Sequence, residues 1–243
     1  MAELRFVYDL PDTDKKIYGL LQAVEDPDAP VVVFIHDLGS HMNEKAVRFS
    51  AFAAVEAGCT ALRLNLYDTE SDARDLLDCT IDTHAADVSE VLAQVRASGR
   101  RIAVVGHSAA AMVLQRLDRQ LFDVAVLWEP MDTQTDDFST WPDVSFDDNS
   151  GNWHLNWTSD LAVTQAFYDS WWNSGPDHHD MGCPTLIVCA GGSDLRKECE
   201  RYGMAQTKAS ELITIEGADH YFASREATER LYGETTKWLK QHL

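Results

Sequence analysis

Three residue types in this chain could together move an acyl group: a serine, a histidine and a carboxylate, each just after an apolar run. Ser108 stands in Gly106-His107-Ser108-Ala109-Ala110, between the run Arg101–Val105 and a helix-like run from Ala109 to Arg119. A serine on a tight turn between a buried strand and a helix is lifted above the sheet edge, where its oxygen can reach a carbonyl. The helix start behind it offers free N–H groups and the positive end of a dipole to a developing oxyanion. Such a serine needs a base, and the base needs an orienting acid. His220, in Glu216-Gly217-Ala218-Asp219-His220-Tyr221-Phe222, follows the last apolar run and precedes the closing helical pattern. Asp194, in Ala190-Gly191-Gly192-Ser193-Asp194, follows the run Pro184–Cys189 and is the preferred acid; Glu129, which ends Val124–Trp128, competes for the role.

The elements that must hold these residues follow from hydrophobic periodicity. Leu4–Tyr8 and Ile17–Val24 read as an antiparallel start joined through Pro11 and Asp12. Val31–Ile35, Thr60–Leu66, Arg101–Val105, Val124–Trp128, Pro184–Cys189 and Glu211–Ile215 read as further strands, several as continuous apolar runs typical of burial on both faces. Helical spacing runs over Glu44–Ala57, Asp82–Ser98, Leu195–Thr207 and Ala223–Gln241. This alternation predicts an α/β fold, a mostly parallel eight-stranded sheet flanked by helices. Residues 1–243 are expected to form one domain. Within it, Glu129 to Gly182 is too long and polar for a simple connection and predicts a Trp-rich cap over the carboxyl ends of the strands. Asp160–Trp172 is expected there as one amphipathic helix. Trp153, Trp157, Trp171 and Trp172 are candidates for an aromatic substrate wall, or for anchors of the insertion.

Composition narrows the classes. The 243 residues carry 40 acidic and 20 basic side chains, a formal net charge of -20, which argues against nucleic acid or an anionic membrane surface as a partner. The charge is spread along the chain, and fits either an ordinary acidic enzyme or adaptation to high salt. No apolar run is long enough to span a bilayer and no secretory signal is visible, so a cytoplasmic location is expected. The five cysteines (Cys59, Cys79, Cys183, Cys189, Cys199) lack metal or redox spacing and read as reduced thiols. No metal or cofactor is expected; Asp177-His178-His179-Asp180 reads as a solvated loop, since adjacent residues point in different directions. His107 is expected to pack near the elbow and His36 to anchor its loop by hydrogen bonding.

Phe34-Ile35-His36-Asp37-Leu38-Gly39, the elbow, Gly191–Asp194 and the ending Ile215–His220 resemble the α/β-hydrolases of the serine esterase type, near the small cytosolic feruloyl or cinnamoyl esterases. The chain order Ser, Asp, His is the order of that fold. The resemblance covers the chain from Val31 onward. It implies Ser108 as nucleophile, His220 as general base, Asp194 as orienting acid, and the backbone N–H groups of Leu38 and Ala109 as oxyanion donors. The implied substrate is a small-molecule ester, cleaved through an acyl-enzyme; thioester or C–C bond cleavage and non-catalytic ligand binding are the alternatives. The chain departs from the family at Ala110 and Asp37, where glycine is usual, and in the loop Tyr67–Glu70, which lacks the usual glycines. A left-handed backbone at Asp37 would cost about 1–2 kcal/mol.

Overall fold

The computed structural model describes residues 2–11, 13–132, 137–156, 160–173 and 179–243. Its main sheet has eight strands: β1 (Leu4–Asp9), β2 (Lys16–Gln22), β3 (Val31–Ile35), β4 (Thr60–Asn65), β5 (Ile102–His107), β6 (Val124–Trp128), β10 (Thr185–Ala190) and β11 (Ser210–Ile215). Between β6 and β10 come β7 (Val144–Asp147), β8 (Asn152–Asn156) and β9 (Asp160–Thr164). The helices are α1 (Lys45–Glu56), α2 (Ile81–Arg96), α3 (Ala110–Gln115), α4 (Gln165–Trp172), α5 (Arg196–Ala205) and α6 (Arg225–His242). The main sheet runs β1-β2-β4-β3-β5-β6-β10-β11. Only β1–β2 and β2–β4 pair antiparallel; the other neighbours are parallel.

Continuous apolar strands form because both faces are covered. Alternate residues of β3 divide between two cores: Val31, Val33 and Ile35 join one, Val32 and Phe34 the other. Helices α1 and α6 cover the second face through Val47, Ala51, Leu231 and Leu239. Helices α2, α3 and α5 cover the first through Val88, Leu92, Leu114 and Tyr202. Helix starts carry their own signals: Thr80 and Thr83 form a reciprocal cap on α2, and Ser224 accepts from the Ala227 N–H on α6.

Two expected elements differ. The helix after the elbow ends at Gln115, not Arg119, because the Arg119 guanidinium folds back onto the carbonyls of Leu114 and Gln115 and closes the helix end. Asp160–Trp172 is not one helix. Leu161 and Val163 pair with Leu155 and Trp153 of β8, and only from Thr164, whose side chain caps the Phe167 N–H, does α4 begin. Among its described residues the insertion therefore holds a three-stranded antiparallel sheet, β7-β8-β9, one short α-helix and a 3-10 turn at Phe138–Thr140. It is stitched to the body by Ile81 N–H donating to Ser170 Oγ (3.0 Å) and by Arg116 donating to the Ser170 carbonyl (2.8 Å).

One buried cation braces the loop after β3. Arg63 of β4 is wholly buried and donates to the Met42 carbonyl and Asn43 Oδ1, both at 3.0 Å, and pairs with Glu3 just before β1. Asn65 Oδ1 accepts from the Met42 N–H at 2.7 Å.

The elbow depends on close approach between β5 and α3. A Cβ on Gly106 would lie 2.8 Å from Leu114 Cδ1 and 3.3 Å from the Ala110 methyl. The glycine missing at 110 is thus compensated by the one present at 106. Gly106→Ala is expected to lower stability by about 1–2 kcal/mol through overpacking, seen as a lower thermal midpoint; an unchanged midpoint would show that Leu114 yields freely.

Candidate active site

The parallel strands bring four chain segments to one sheet edge. Ser108 follows β5 at φ 54°, a left-handed backbone that a non-glycine residue rarely adopts. Its N–H donates to the Trp128 carbonyl (2.8 Å), and its carbonyl accepts from Ala111 N–H (3.0 Å) and Met131 N–H (3.3 Å). The strained turn is therefore held by bonds on both sides. Ser108 is fully buried, and its hydroxyl has no hydrogen-bond partner among the described residues.

His220 lies between two carboxylates. Its Nδ1 is 3.3 Å from Glu129 Oε2, and its Nε2 is 3.3 Å from Asp37 Oδ2. Burial disfavours the imidazolium, but Asp37 and Glu129 outweigh it and push the His220 pKa up to about 10. Burial in turn opposes charge on Asp37 and Glu129, yet the bond to His220 leads a set of contacts that hold both below the usual carboxylate range. The ring also stacks on His107, with centroids 5.1 Å apart. His107 Nε2 is 2.9 Å from the His220 carbonyl, so His107 packs beneath the elbow as expected. Its Nδ1 lies 3.4 Å from Glu44 Oε1.

The carboxylate against His220 Nδ1 is Glu129, not Asp194. Glu129 follows β6 directly, at φ 47°, and is fully buried. Its Oε1 accepts from the Ala190 N–H (2.5 Å), which fixes the carboxylate and leaves Oε2 for His220. Cys189 and Cys199 crowd the same carboxylate, the three groups lying within 4.8 Å of one another. Asp194, the acid expected from sequence, lines the cleft but is exposed and makes no hydrogen bond or ion pair with any described residue. Gly191, Gly192 and Ser193 separate it from the end of β10, whereas Glu129 is the first residue past its strand.

The two expected oxyanion donors do converge. Leu38 N–H and Ala109 N–H point at a single oxygen, 2.7 and 3.2 Å away, and that oxygen is Asp37 Oδ1. The side chain at the position where the family usually has glycine therefore fills the space in front of both donors. The backbone cost expected there is absent, since among the described residues the non-glycine ones with positive φ are Ser108, Glu129 and Phe222. His36 sets the loop: Leu66 N–H donates to its Nε2 (3.1 Å), so Nδ1 carries the proton and donates to the Asp37 carbonyl (2.7 Å). Burial lowers the His36 pKa and keeps the ring neutral.

The cleft over Ser108 has a volume of about 410 Å³. Its walls are Leu38, Met131, Trp141, Trp171, Leu195 and Tyr221, beside Asp37, Ser108, Asp194 and His220. Of the three described tryptophans among those expected as a substrate wall, Trp171 alone takes part. Trp153 stacks on Tyr168 (5.0 Å) and donates to Gln165, and Trp172 packs edge-on to Tyr168; both serve the insertion itself. Trp157 lies outside the described residues. Trp141, not foreseen, meets Trp171 edge to face at 6.4 Å. The run 177–180 also differs from a solvated loop where it is described: His179 is buried with Nε2 3.2 Å from Asp132 Oδ2, and Asp180 accepts from Gly182 N–H and Thr207.

A strained serine, a histidine backed by a buried glutamate, and two convergent N–H groups are the parts needed to add a hydroxyl to a carbonyl and hold the resulting oxyanion. Among the described residues no helix is long and apolar enough to cross a membrane. A comparison with curated proteins yields no match. Among solved structures, a putative hydrolase from Agrobacterium vitis S4 superposes with a TM-score of 0.81 at 15% identity, over 98% of this chain and 99% of that one. Est1E from Butyrivibrio proteoclasticus, solved with ferulic acid bound, gives 0.78 at 17% identity, over 96% and 99%. Alpha/beta hydrolase domain-containing protein 10 from mouse gives 0.79 at 12% identity, over 98% and 99%. At these identities the likeness is one of fold. The sequence profile of the alpha/beta hydrolase family matches residues 32–233, most of the chain including every residue of the cleft, and the chain belongs to that family.

Proposed function

We propose that this alpha/beta hydrolase is a serine hydrolase that cleaves carboxylic esters through an acyl-enzyme. Ser108 Oγ attacks the ester carbonyl while His220 Nε2 takes its proton. Glu129 holds His220 in the tautomer that leaves Nε2 free to accept, and stabilises the imidazolium that forms. The carbonyl oxygen becomes an oxyanion facing the N–H groups of Leu38 and Ala109. Collapse expels the alcohol, which receives the proton from His220. Water then repeats the sequence, with His220 as base, and releases the acid.

The observation that carries this reading is the convergence of the Leu38 and Ala109 N–H groups on one point beside the strained Ser108. The apolar and aromatic walls suit a small or aromatic acyl group, and the ferulic acid bound by Est1E supports that direction. Among the described residues the cleft carries Asp37 and Asp194 and no lysine or arginine, which disfavours a phosphate-bearing thioester carrier. In this reading residues 129–182 cap a single catalytic unit and shape the acyl site from above.

A fluorophosphonate probe tests the proposal. Intact mass should show one adduct per chain, and peptide mapping should put it on Ser108. Folded protein that gains no adduct at Ser108 after prolonged incubation would overturn the assignment.

A further inference from the structure

Asp37 engages both halves of the machinery at once. Its Oδ1 accepts from Leu38 N–H and Ala109 N–H at 2.7 and 3.2 Å, and its Oδ2 lies 3.3 Å from His220 Nε2. Asp37 is buried, so this is not a surface contact. With Asp37 there, a substrate carbonyl has no donors to reach, and His220 Nε2 faces a carboxylate instead of the serine. The unpartnered Ser108 hydroxyl is the complement of that arrangement: buried beside its base, it makes no bond to it.

We propose that Asp37 is a built-in occupant of the oxyanion hole, a positioning residue whose carboxylate must swing out before Ser108 and His220 can engage a substrate. The inference rests on the serine-hydrolase reading above. A carboxylate is a close mimic of the oxyanion the hole is built for: a negative oxygen on a planar carbon, within reach of the same two donors. The imidazolium adds an ion pair at its second oxygen. Burial opposes charge on the ring, but Asp37 itself and then Glu129 on the far side raise the His220 pKa and so keep the pair charged. His107 stacks on the ring, Glu44 lies behind His107, and Tyr221 packs edge-on to His220. Among the described residues no lysine or arginine lines the cleft, so a displaced Asp37 meets no competing cation there. The loop also resists wholesale movement. Its far end is tied by Arg63 to Met42 and Asn43 and by Asn65 to Met42, and its near end by His36. Opening is then a rotation of the Asp37 side chain rather than a loop swing.

The test is the rate of fluorophosphonate labelling at Ser108 in wild type, Asp37→Gly and Asp37→Asn. In labelling, Ser108 Oγ bonds to phosphorus, fluoride leaves, and the serine proton passes to His220 and then to solvent. The phosphoryl oxygen needs the same two N–H groups. Asp37→Gly empties the hole and should react about 10²-fold faster than wild type, the scale set by oxyanion donors. Asp37→Asn keeps the shape of the side chain and an acceptor for the N–H groups but loses the ion pair, and should fall between the two. The His220 titration, followed by NMR, should drop in both variants toward that of an ordinary histidine. Because asparagine is isosteric, it answers the question if the glycine variant folds poorly. Labelling at Ser108 that is equal to or slower than wild type in both folded variants overturns the role of Asp37 and leaves the serine-hydrolase reading intact. Absence of Ser108 labelling in all three proteins overturns that reading, and this inference with it.

Discussion

Replacing Ser108 by alanine is expected to lower ester turnover by about 10⁴-fold or more and to leave the thermal midpoint within experimental error of wild type. The two halves of this expectation have separate causes. Turnover falls because, among the described residues that line the cleft, Ser108 carries the only aliphatic hydroxyl and no thiol is present; the other hydroxyl there is the phenol of Tyr221. Stability persists because the hydroxyl makes no hydrogen bond that alanine would break. The bonds that hold the turn come from the backbone of residue 108, which alanine retains. Alanine at φ 54° is also no more strained than serine to within a few tenths of a kcal/mol, roughly the scatter of a neutral substitution. Steady-state hydrolysis of a phenyl ester together with a melting curve reads both halves. Wild-type rates in the variant would remove the covalent mechanism, and a large loss of stability would assign Ser108 a structural role instead.

Glu129→Gln should cost about 10⁴-fold in kcat, comparable to the loss when a triad acid becomes an amide. The geometry says why the isosteric change is so severe. Oε1 is pinned by the Ala190 N–H at 2.5 Å, so the amide oxygen of glutamine takes that place. The amide NH₂ is then left facing His220 Nδ1, where it donates a hydrogen bond and forces the proton to Nε2. A ring protonated on Nε2 cannot accept the serine proton. Asp194→Asn, by contrast, should change kcat by less than about threefold, because an exposed and unpaired carboxylate acts on His220 only through a solvent-screened field. Parallel kinetics on the two variants decide the matter, and the opposite ranking would return the acid role to Asp194.

The elements were more legible than the distances between their side chains. Val31–Ile35 and Val124–Trp128 are apolar without interruption because helices cover both faces of those strands, and continuous apolar runs are the imprint of that burial. Ser108 was legible for a related reason, since a strand and a helix flank it closely and leave room only for a turn. The acid was not. A glycine-rich loop marks Asp194 as able to reach the strand ends, but whether it reaches His220 depends on a backbone angle at Glu129 and a bond from Ala190, neither of which has a residue-type signature. Asp37 shows the same limit more sharply. Its departure from glycine is visible in the chain and suggests backbone strain, yet its φ is ordinary and its effect arises from where the side chain lies. That position is set jointly by Leu38, Ala109 and His220, the last of them far along the chain. The tryptophans failed for want of orientation: aromatic count marks the insertion as anchored, and only packing separates Trp141 and Trp171 from Trp153 and Trp172.

The buried guanidinium of Arg63 makes the amino-terminal edge of the sheet a remote tether of the catalytic loop. Arg63 binds the far end of that loop through Met42 and Asn43, and its counter-charge is Glu3, which leads into the outermost strand. A charge buried without its partner is costly, and a cation freed of Glu3 would draw water or pull on the loop that it now steadies. The first strand, an edge that adds little to the core, is therefore linked through Glu3 and Arg63 to the far end of the loop whose near end carries Asp37 and Leu38. Loss of Glu3 would leave the buried Arg63 cation without its counter-charge and be felt first at Met42 and Asn43, the loop residues that it binds.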